Sequence, residues 1–251
     1  MLLLFDIGNT SVTYGRYEGK KIVEFGSSLM IDIPKLILKW SNSGSNIKIN
    51  IVLSSVVPKN TSIVRKVLAG RKAFKLWVVG QNLQVPIRHR YQKLKKLGSD
   101  RIVNVYGALR MYRPPLLVID YGTAMTFDYI SRGGIFEGGM IIPGPEIAFQ
   151  SLIEKAALLP KKIRLPERSA SFLGRSTYDC MASGILQGYG AMTEGLITRF
   201  KKRFGPRLKV IATGGFASHL AGFTRSFDVL DPRHSIKSLR LIFDDLIQNF
   251  S

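Results

Sequence analysis

The sequence predicts an α/β protein built from two halves of similar architecture. An apolar strand ending in aspartate, a small-residue turn and a hairpin occur twice, at MLLLFDIGNTSVTYGRY and at PPLLVIDYGTAMTFDYI. Each copy is followed by strands alternating with helical segments, the pattern of α/β folds. Asp6-Ile7-Gly8-Asn9-Thr10 matches Asp120-Tyr121-Gly122-Thr123-Ala124 in position within the two copies. So long a spacing indicates duplicated halves rather than a solenoid of short repeats.

In the first half MLLLFDI reads as a strand, GNTS as a turn, VTYGRY as an alternating strand, EGKK as a turn and IVEF as a third strand. INIVLSSVV is a further strand, Thr61–Ala69 a helix, FKLWVV a strand and Asp100–Met111 a helix. The second half repeats the hairpin, with SRGG as its turn and IFEGGMII as its closing strand. Helices follow over Glu146–Ala157 and Thr177–Arg203, then the strand LKVIAT and a C-terminal helix from about Ser235. Pro114-Pro115 cannot continue the helix before it, which places the boundary there and gives halves of 1–114 and 115–251.

Composition excludes several classes. With 45% hydrophobic and 22% charged residues over 251 positions, the chain can bury a core and is not disordered. A single cysteine, Cys180, rules out an internal disulfide, and His89, His219 and His234 are too widely spaced for a short zinc motif. No apolar run approaches the length of a membrane span, and the N-terminus has no basic segment before its short apolar run, so no membrane partner is expected and the expected location is the cytoplasm. Lys and Arg number 37 against 17 Asp and Glu, a net charge of +20. The basic residues fall in short groups at Arg71 and Lys72, Arg88–Lys96, Lys161–Arg164 and Lys201–Lys209, with no helix-turn-helix, zinc-finger or RNP motif around them. Nucleic acid is therefore not the expected partner.

The strand-ending turn is where chemistry begins. Glycine lets the backbone approach a ligand, Asn9 and Thr10 add side-chain donors to the turn's N–H groups, and Asp6 can hold Mg²⁺, which favours one or two carboxylates together with phosphates and water. One such turn is a common hairpin entry; two in the same chain point to phosphate binding.

Six ordered blocks, LFDIGNTSV, LGSDRIVNVYGA, VIDYGTAMTFD, GGMIIPG, LGRSTYDCMASGILQGYGAMTEGLI and IATGGFA, resemble type III pantothenate kinase from about Met1 to Ala217. The resemblance implies the acetate and sugar kinase, Hsp70 and actin superfamily, in which two RNase H-like halves enclose a central ATP cleft. It implies ATP-dependent phosphorylation of pantothenate on its terminal hydroxyl, the first step of coenzyme A biosynthesis, by a homodimer that uses Mg²⁺ and a monovalent cation, K⁺ or NH₄⁺.

Carried onto this sequence, the block Asp6, Ile7, Gly8, Asn9, Thr10, Ser11, Val12 and Thr13 lines the ATP phosphates, with Asp6 near Mg²⁺. In Gly98-Ser99-Asp100-Arg101, Asp100 is the general base on the pantothenate hydroxyl and Arg101 grips its carboxylate end, while Gly98 and Ser99 complete the substrate side. Phosphoryl transfer asks for little more than a carboxylate on the nucleophile and cations on the phosphates. Tyr91 corresponds to a substrate-contacting tyrosine, Asp120 to a monovalent-cation ligand, Thr123 to a threonine on ATP and Thr177 to a substrate threonine. Plainer roles stand beside these: Asp100 and Thr177 are good helix N-caps, Asp128 could be the functional acid in place of Asp120, and Gly214 and Gly215 serve equally as a nucleotide-side loop or a turn. The glycine-bearing helix ILQGYGAMTEGLI reads as a packing face that helps form the dimer, and Cys180 as a small buried residue. Two rivals remain, a superfamily kinase for a sugar or a short carboxylate, and a basic RNase H-like nucleic-acid-binding protein. A nuclease of that fold needs several carboxylates converging on metal ions, where this sequence has glycine and threonine turns.

Overall fold

Leu2, Leu3, Leu4 and Phe5 are buried without a break, the mark of a central strand covered on both faces. In the computed structural model, which describes residues 1–41, 48–155, 165–166 and 171–248, they belong to β1 (Leu2–Ile7). It pairs antiparallel with β2 (Val12–Glu18), and β2 with β3 (Lys21–Ser28). On its other edge β1 pairs parallel with β4 (Ile49–Ser55), and β4 with β5 (Phe74–Val78). The second sheet repeats this plan around β6 (Leu116–Tyr121), with β7 (Ala124–Ile130) and β8 (Phe136–Pro143) as the antiparallel arm and β9 (Lys209–Thr213) and β10 (Val229–Leu230) as the parallel arm. The doubling in the sequence is thus a doubling of sheet topology. Register carries it to single residues: Asp6 lies between Thr13 and Ser54, and Asp120 between Thr126 and Thr213.

The helices follow the expected order, with differences that include a short helix over Ala217–Leu220 where none was expected. The sequence reading assigns nothing between β3 and β4, yet α1 (Ile33–Ser41) forms there. Its Ile33, Ile37 and Trp40 recur at helical spacing and are buried with Leu3 and Phe5. Helix α2 (Pro58–Leu68) starts three residues before the expected Thr61, because proline suits the first position of a helix. Then come α3 (Ser99–Met111), α4 (Pro145–Lys155), α5 (Thr177–Phe204), the short α6 (Ala217–Leu220) and α7 (His234–Leu246). The expected end of α4 at Ala157 and the Lys161–Arg164 group lie outside the described residues. Cys180, expected to be buried, is exposed on the first turn of α5, where its thiol faces the Gly174 carbonyl at 3.4 Å.

The division of the chain differs from the expected 1–114 and 115–251. Met1–Met111 and His234–Ser251 form one unit and Tyr112–Arg233 the other, so the C-terminal helix returns to the first half. Packing explains the return. Ile236 of α7 lies over Gly15 of β2, and Ser238 sits against Gly107 of α3. At the far end Asp245 accepts hydrogen bonds from Tyr106 Oη at 2.8 Å and from Arg110 Nε at 2.7 Å. Because the α3–α7 contact at Gly107 has no room for a Cβ, Gly107→Ala forces the helices apart. Overpacking of this kind costs about 1–3 kcal/mol, partly offset by about 1 kcal/mol from the better helix former. The expected result is a melting temperature lower by several degrees in differential scanning calorimetry; an unchanged or raised value would show that α7 yields without cost.

In the second unit Leu117, Ile119 and Tyr121 of β6 and Phe127 of β7 are buried with Ile197 and Phe200 of α5. The Tyr121 hydroxyl is paired with Thr193 Oγ1 at 2.9 Å inside this core, as a buried phenol requires. The rigid β6–β7 platform holds the second aspartate turn.

Candidate active site

In the first unit β1 delivers Asp6 to the edge of the sheet, and the chain then turns tightly, with the Gly8 N–H donating to the Ser11 carbonyl at 3.0 Å. Asn9, Thr10 and Ser11 are exposed on this turn, whereas Ile7 and Val12 are buried in the core. A ligand therefore meets Ile7 and Val12 only through their backbone. Thr13 sits half-buried opposite Asp6.

Asp100 comes from a different element, the first turn of α3, and its charge is felt by Asp6. Its Oδ1 accepts the Arg101 N–H at 2.8 Å and lies over Gly98, where a side chain would collide with it. The capping reading does not hold: α3 begins at Ser99, so Asp100 is its second residue rather than its N-cap, and one carboxylate oxygen is held by the next backbone N–H. Ser99 turns the other way: its hydroxyl accepts the Ser55 N–H at 3.0 Å and pairs with Ser54 Oγ at 3.2 Å, tying α3 to the end of β4. Arg101 is buried with its guanidinium 5.9 Å from the centroid of the Tyr91 ring, a cation–π distance. Tyr91, Gly98, Asp100 and Arg101, spread over eleven positions, are thereby gathered at one end of α3.

Electrostatics set the two carboxyls apart from ordinary ones. Burial, with the Asp100 charge added, pushes the Asp6 carboxyl up to about 6, against the pull of hydrogen bonds from Ser235 and Ser54. Burial raises Asp100 as well, opposed by the Arg101 N–H and charge. Two nearby carboxylates in a poorly solvated place favour either a proton or a cation. Next to them, a cavity of about 610 Å³ is lined by Val56, Gly80, Gln84, Lys95, Gly98 and Ser99, a volume suited to a small molecule. Its surroundings are basic: residues 33–99 include no Asp or Glu.

The second unit presents a related turn. Asp120 Oδ1 lies against Gly214, whose φ of +93° suits glycine and where a Cβ would strike both that carboxylate and the Tyr121 backbone. Thr123 is half-buried on the turn, and its carbonyl accepts the Gly144 N–H at 2.9 Å. Asp128, the alternative acid, is 1% exposed in the middle of β7, with the Thr126 hydroxyl at 3.5 Å, so Asp120 is the better placed of the two for an ion from solvent. Thr177 is the first residue of α5, but Ser176 provides the cap, accepting the Asp179 N–H at 3.1 Å; the Thr177 hydroxyl is not spent on capping. Among the described residues no group of three or more His, Cys, Asp or Glu could hold a metal ion, and no helix is long and apolar enough to cross a membrane.

Sequence reasoning missed Ser54 and Ser235 beside Asp6, and Gln84 and Lys95 on the cavity. Ser54 had a signal, an apolar strand closing on hydroxyls as β1 closes on Asp6. Ser235 had none, because its place depends on the return of α7.

Comparison with known proteins bears on the family and the fold. The family model for type III pantothenate kinase matches residues 2–199. A type III pantothenate kinase of Brevibacillus brevis is 33% identical over 97% of this chain and 98% of its own length, and one of Listeria monocytogenes is 32% identical over 97% and 96%. In fold alone, the chain is similar to MreB5 of Spiroplasma citri bound to ADP, at a TM-score of 0.56 and 11% identity over 99% of this chain and 98% of that one. The two sheets are those of the actin, Hsp70 and sugar-kinase fold, and a family match over most of its length, with relatives that span nearly all of it, makes this chain a member of the type III pantothenate kinase family.

Proposed function

We propose that this chain transfers the γ-phosphoryl group of ATP to the terminal hydroxyl of pantothenate, forming 4'-phosphopantothenate in the first step of coenzyme A biosynthesis. The observation that carries the reading is the placement of Asp100 near Asp6, beside the cavity lined by Gly98 and Ser99. Asp100 accepts the proton of the attacking hydroxyl as its oxygen bonds to phosphorus. Arg101, held by Tyr91, takes the carboxylate end of the substrate, and the exposed Asn9, Thr10 and Ser11 with the Gly8 turn embrace the phosphates. Donors fixed in advance at the place where charge develops are the main source of rate in such transfers. The exposed cations Arg88, Arg90, Lys93, Lys95 and Lys96 raise the local concentration of both anionic substrates.

The donor set fits Mg²⁺: a single strand-end carboxylate in a repulsive pair, without a protein cage, is how this ion is held when substrate phosphates complete its shell. Bound there by Asp6, it would neutralise phosphate charge. Asp120 fits a monovalent cation, since its carboxylate stands on an oxygen-bearing turn with glycine in front of it. Thr123 contacts ATP and Thr177 the substrate. A homodimer in the cytoplasm is part of the reading, supported by the open side of α5 at Gly184, Gly188 and Gly195 and by exposed Ile141, Ile147 and Leu152 nearby in the same unit.

The test is ADP release by the purified protein with Mg-ATP and pantothenate, in K⁺ and in Na⁺ as alternative sole monovalent cations. Pantothenate-dependent turnover, strong in K⁺ and weak in Na⁺, is the expected result. Equal rates in both salts remove the Asp120 cation site, and no turnover in either removes pantothenate as the acceptor.

A further inference from the structure

The Asp6 carboxylate is held from two sides, by the Ser54 hydroxyl of the neighbouring strand and by the Ser235 hydroxyl of α7. Ser54 is itself tied to Ser99 at the start of α3. Ser235 reaches the site by another route, as the second residue of the segment that re-enters the first unit at His234, and it is 8% exposed. Its backbone is pinned on both sides. His234, fully buried, places Nε2 3.0 Å from the Asn104 carbonyl, Ser238 Oγ donates to the His234 carbonyl at 2.7 Å, and Ile236 lies over Gly15. A short side chain on so fixed a backbone has few places to put its hydroxyl. Asp6, repelled by Asp100, gains from a donor that stops its carboxylate turning away.

We propose that Ser235 is a positioning residue for phosphoryl transfer, its hydroxyl fixing the Asp6 carboxylate in the orientation the phosphate site needs. The proposal rests on the reading of Asp6 as the phosphate-side carboxylate. Serine near the start of a helix also serves stability, so the test must separate the two roles. Outer partners of this kind change activity by about 10–100-fold when removed. In Ser235→Ala, kcat falls about 10-fold and the Mg²⁺ concentration for half-maximal rate rises, while KM for pantothenate stays within about 2-fold. Ser235→Thr, which keeps the hydroxyl, restores most of the rate. Ser238→Ala, on the same helix but bonded to the His234 carbonyl, lowers the melting temperature and leaves kcat alone. Should the alanine variant not fold, Ser235→Cys against Ser235→Thr makes the same comparison, with the weak thiol donor expected to be the slower.

A kcat in Ser235→Ala, or in Ser235→Cys relative to Ser235→Thr, that is unchanged while Asp6→Asn is inactive overturns the proposal alone. So does an equal loss of kcat in Ser238→Ala. Full activity in Asp6→Asn, or no pantothenate turnover by the unaltered protein, overturns the reading of Asp6 and the proposal with it.

Discussion

Asp100→Asn lowers kcat by at least about 10²-fold and leaves the affinity for ATP within about 2-fold, the loss expected when a general base is removed from a positioned site. The substitution separates the two roles of this side chain. Asn keeps an oxygen that can accept the Arg101 N–H, now bonded to Asp100 Oδ1 at 2.8 Å, so the start of α3 and the melting temperature are preserved. What it removes is the carboxylate proposed to receive the hydroxyl proton. Steady-state ADP release and a nucleotide-binding titration on the same preparation check both halves. Turnover near the normal rate in the variant would leave Asp100 with only its part in the helix start. The pH profile has a stated sign as well. Burial raises Asp100 from the ordinary carboxylate value, and a base works only when ionised, so kcat/KM falls on the acid side, beginning at a higher pH than an unperturbed aspartate would set.

Asp6→Asn has the second large effect, and it moves stability and activity in opposite directions. The folded protein holds a proton on Asp6 up to about pH 6, whereas the ordinary value is 3.8. Between those values the native state binds more protons than the unfolded state, so this group's contribution to stability declines as pH rises from about 4 to about 6 and stays low above that. Asparagine does not ionise. At pH 7.5, without Mg²⁺ or ATP, the variant is therefore more stable than the original by up to about 3 kcal/mol, the free energy of a shift of this size, and the gain vanishes toward pH 4. Urea unfolding at pH 4, 5, 6 and 7.5 reads the trend directly. A variant that is less stable at pH 7.5 would mean that the hydrogen bonds from Ser54 and Ser235 outweigh burial and the repulsion from Asp100. Activity is expected to fall in the same variant, because the carboxylate that strains the apo protein is the one proposed to face the phosphates. Stored cost of this kind at a functional site is common.

How far the residues alone could be read depended on the range of the interaction. Strands β1 and β6 were legible because an apolar run ending in Asp is a local pattern, and the long helix α5 because small and apolar residues recur along it. Helix α1 had a local signal too, in Ile33, Ile37 and Trp40, but it is short and carries a proline near its start. The burial of Ile7 and Val12 was not read from the sequence, because the resemblance placed the whole block Asp6–Thr13 along the phosphates. The exposure of Cys180 was not read either, since a lone cysteine on an amphipathic helix gives no phase by itself. Thr177 shows the same limit at a helix end, where two neighbouring hydroxyls competed for one cap and Ser176 took it.

Sequence was enough for the α/β class, the twofold repeat, the two aspartate turns and the family, because each is written in contiguous blocks whose chemistry is local. Tertiary structure alone decided that α7 crosses back to the first unit, that Asp100 comes close enough to raise the proton affinity of Asp6, and that Ser235 reaches that carboxylate from the far end of the chain. Those facts depend on which surfaces bury one another, Ile236 over Gly15 and Ser238 against Gly107. Packing of that kind is a property of the folded whole, with no trace at any one position in the chain.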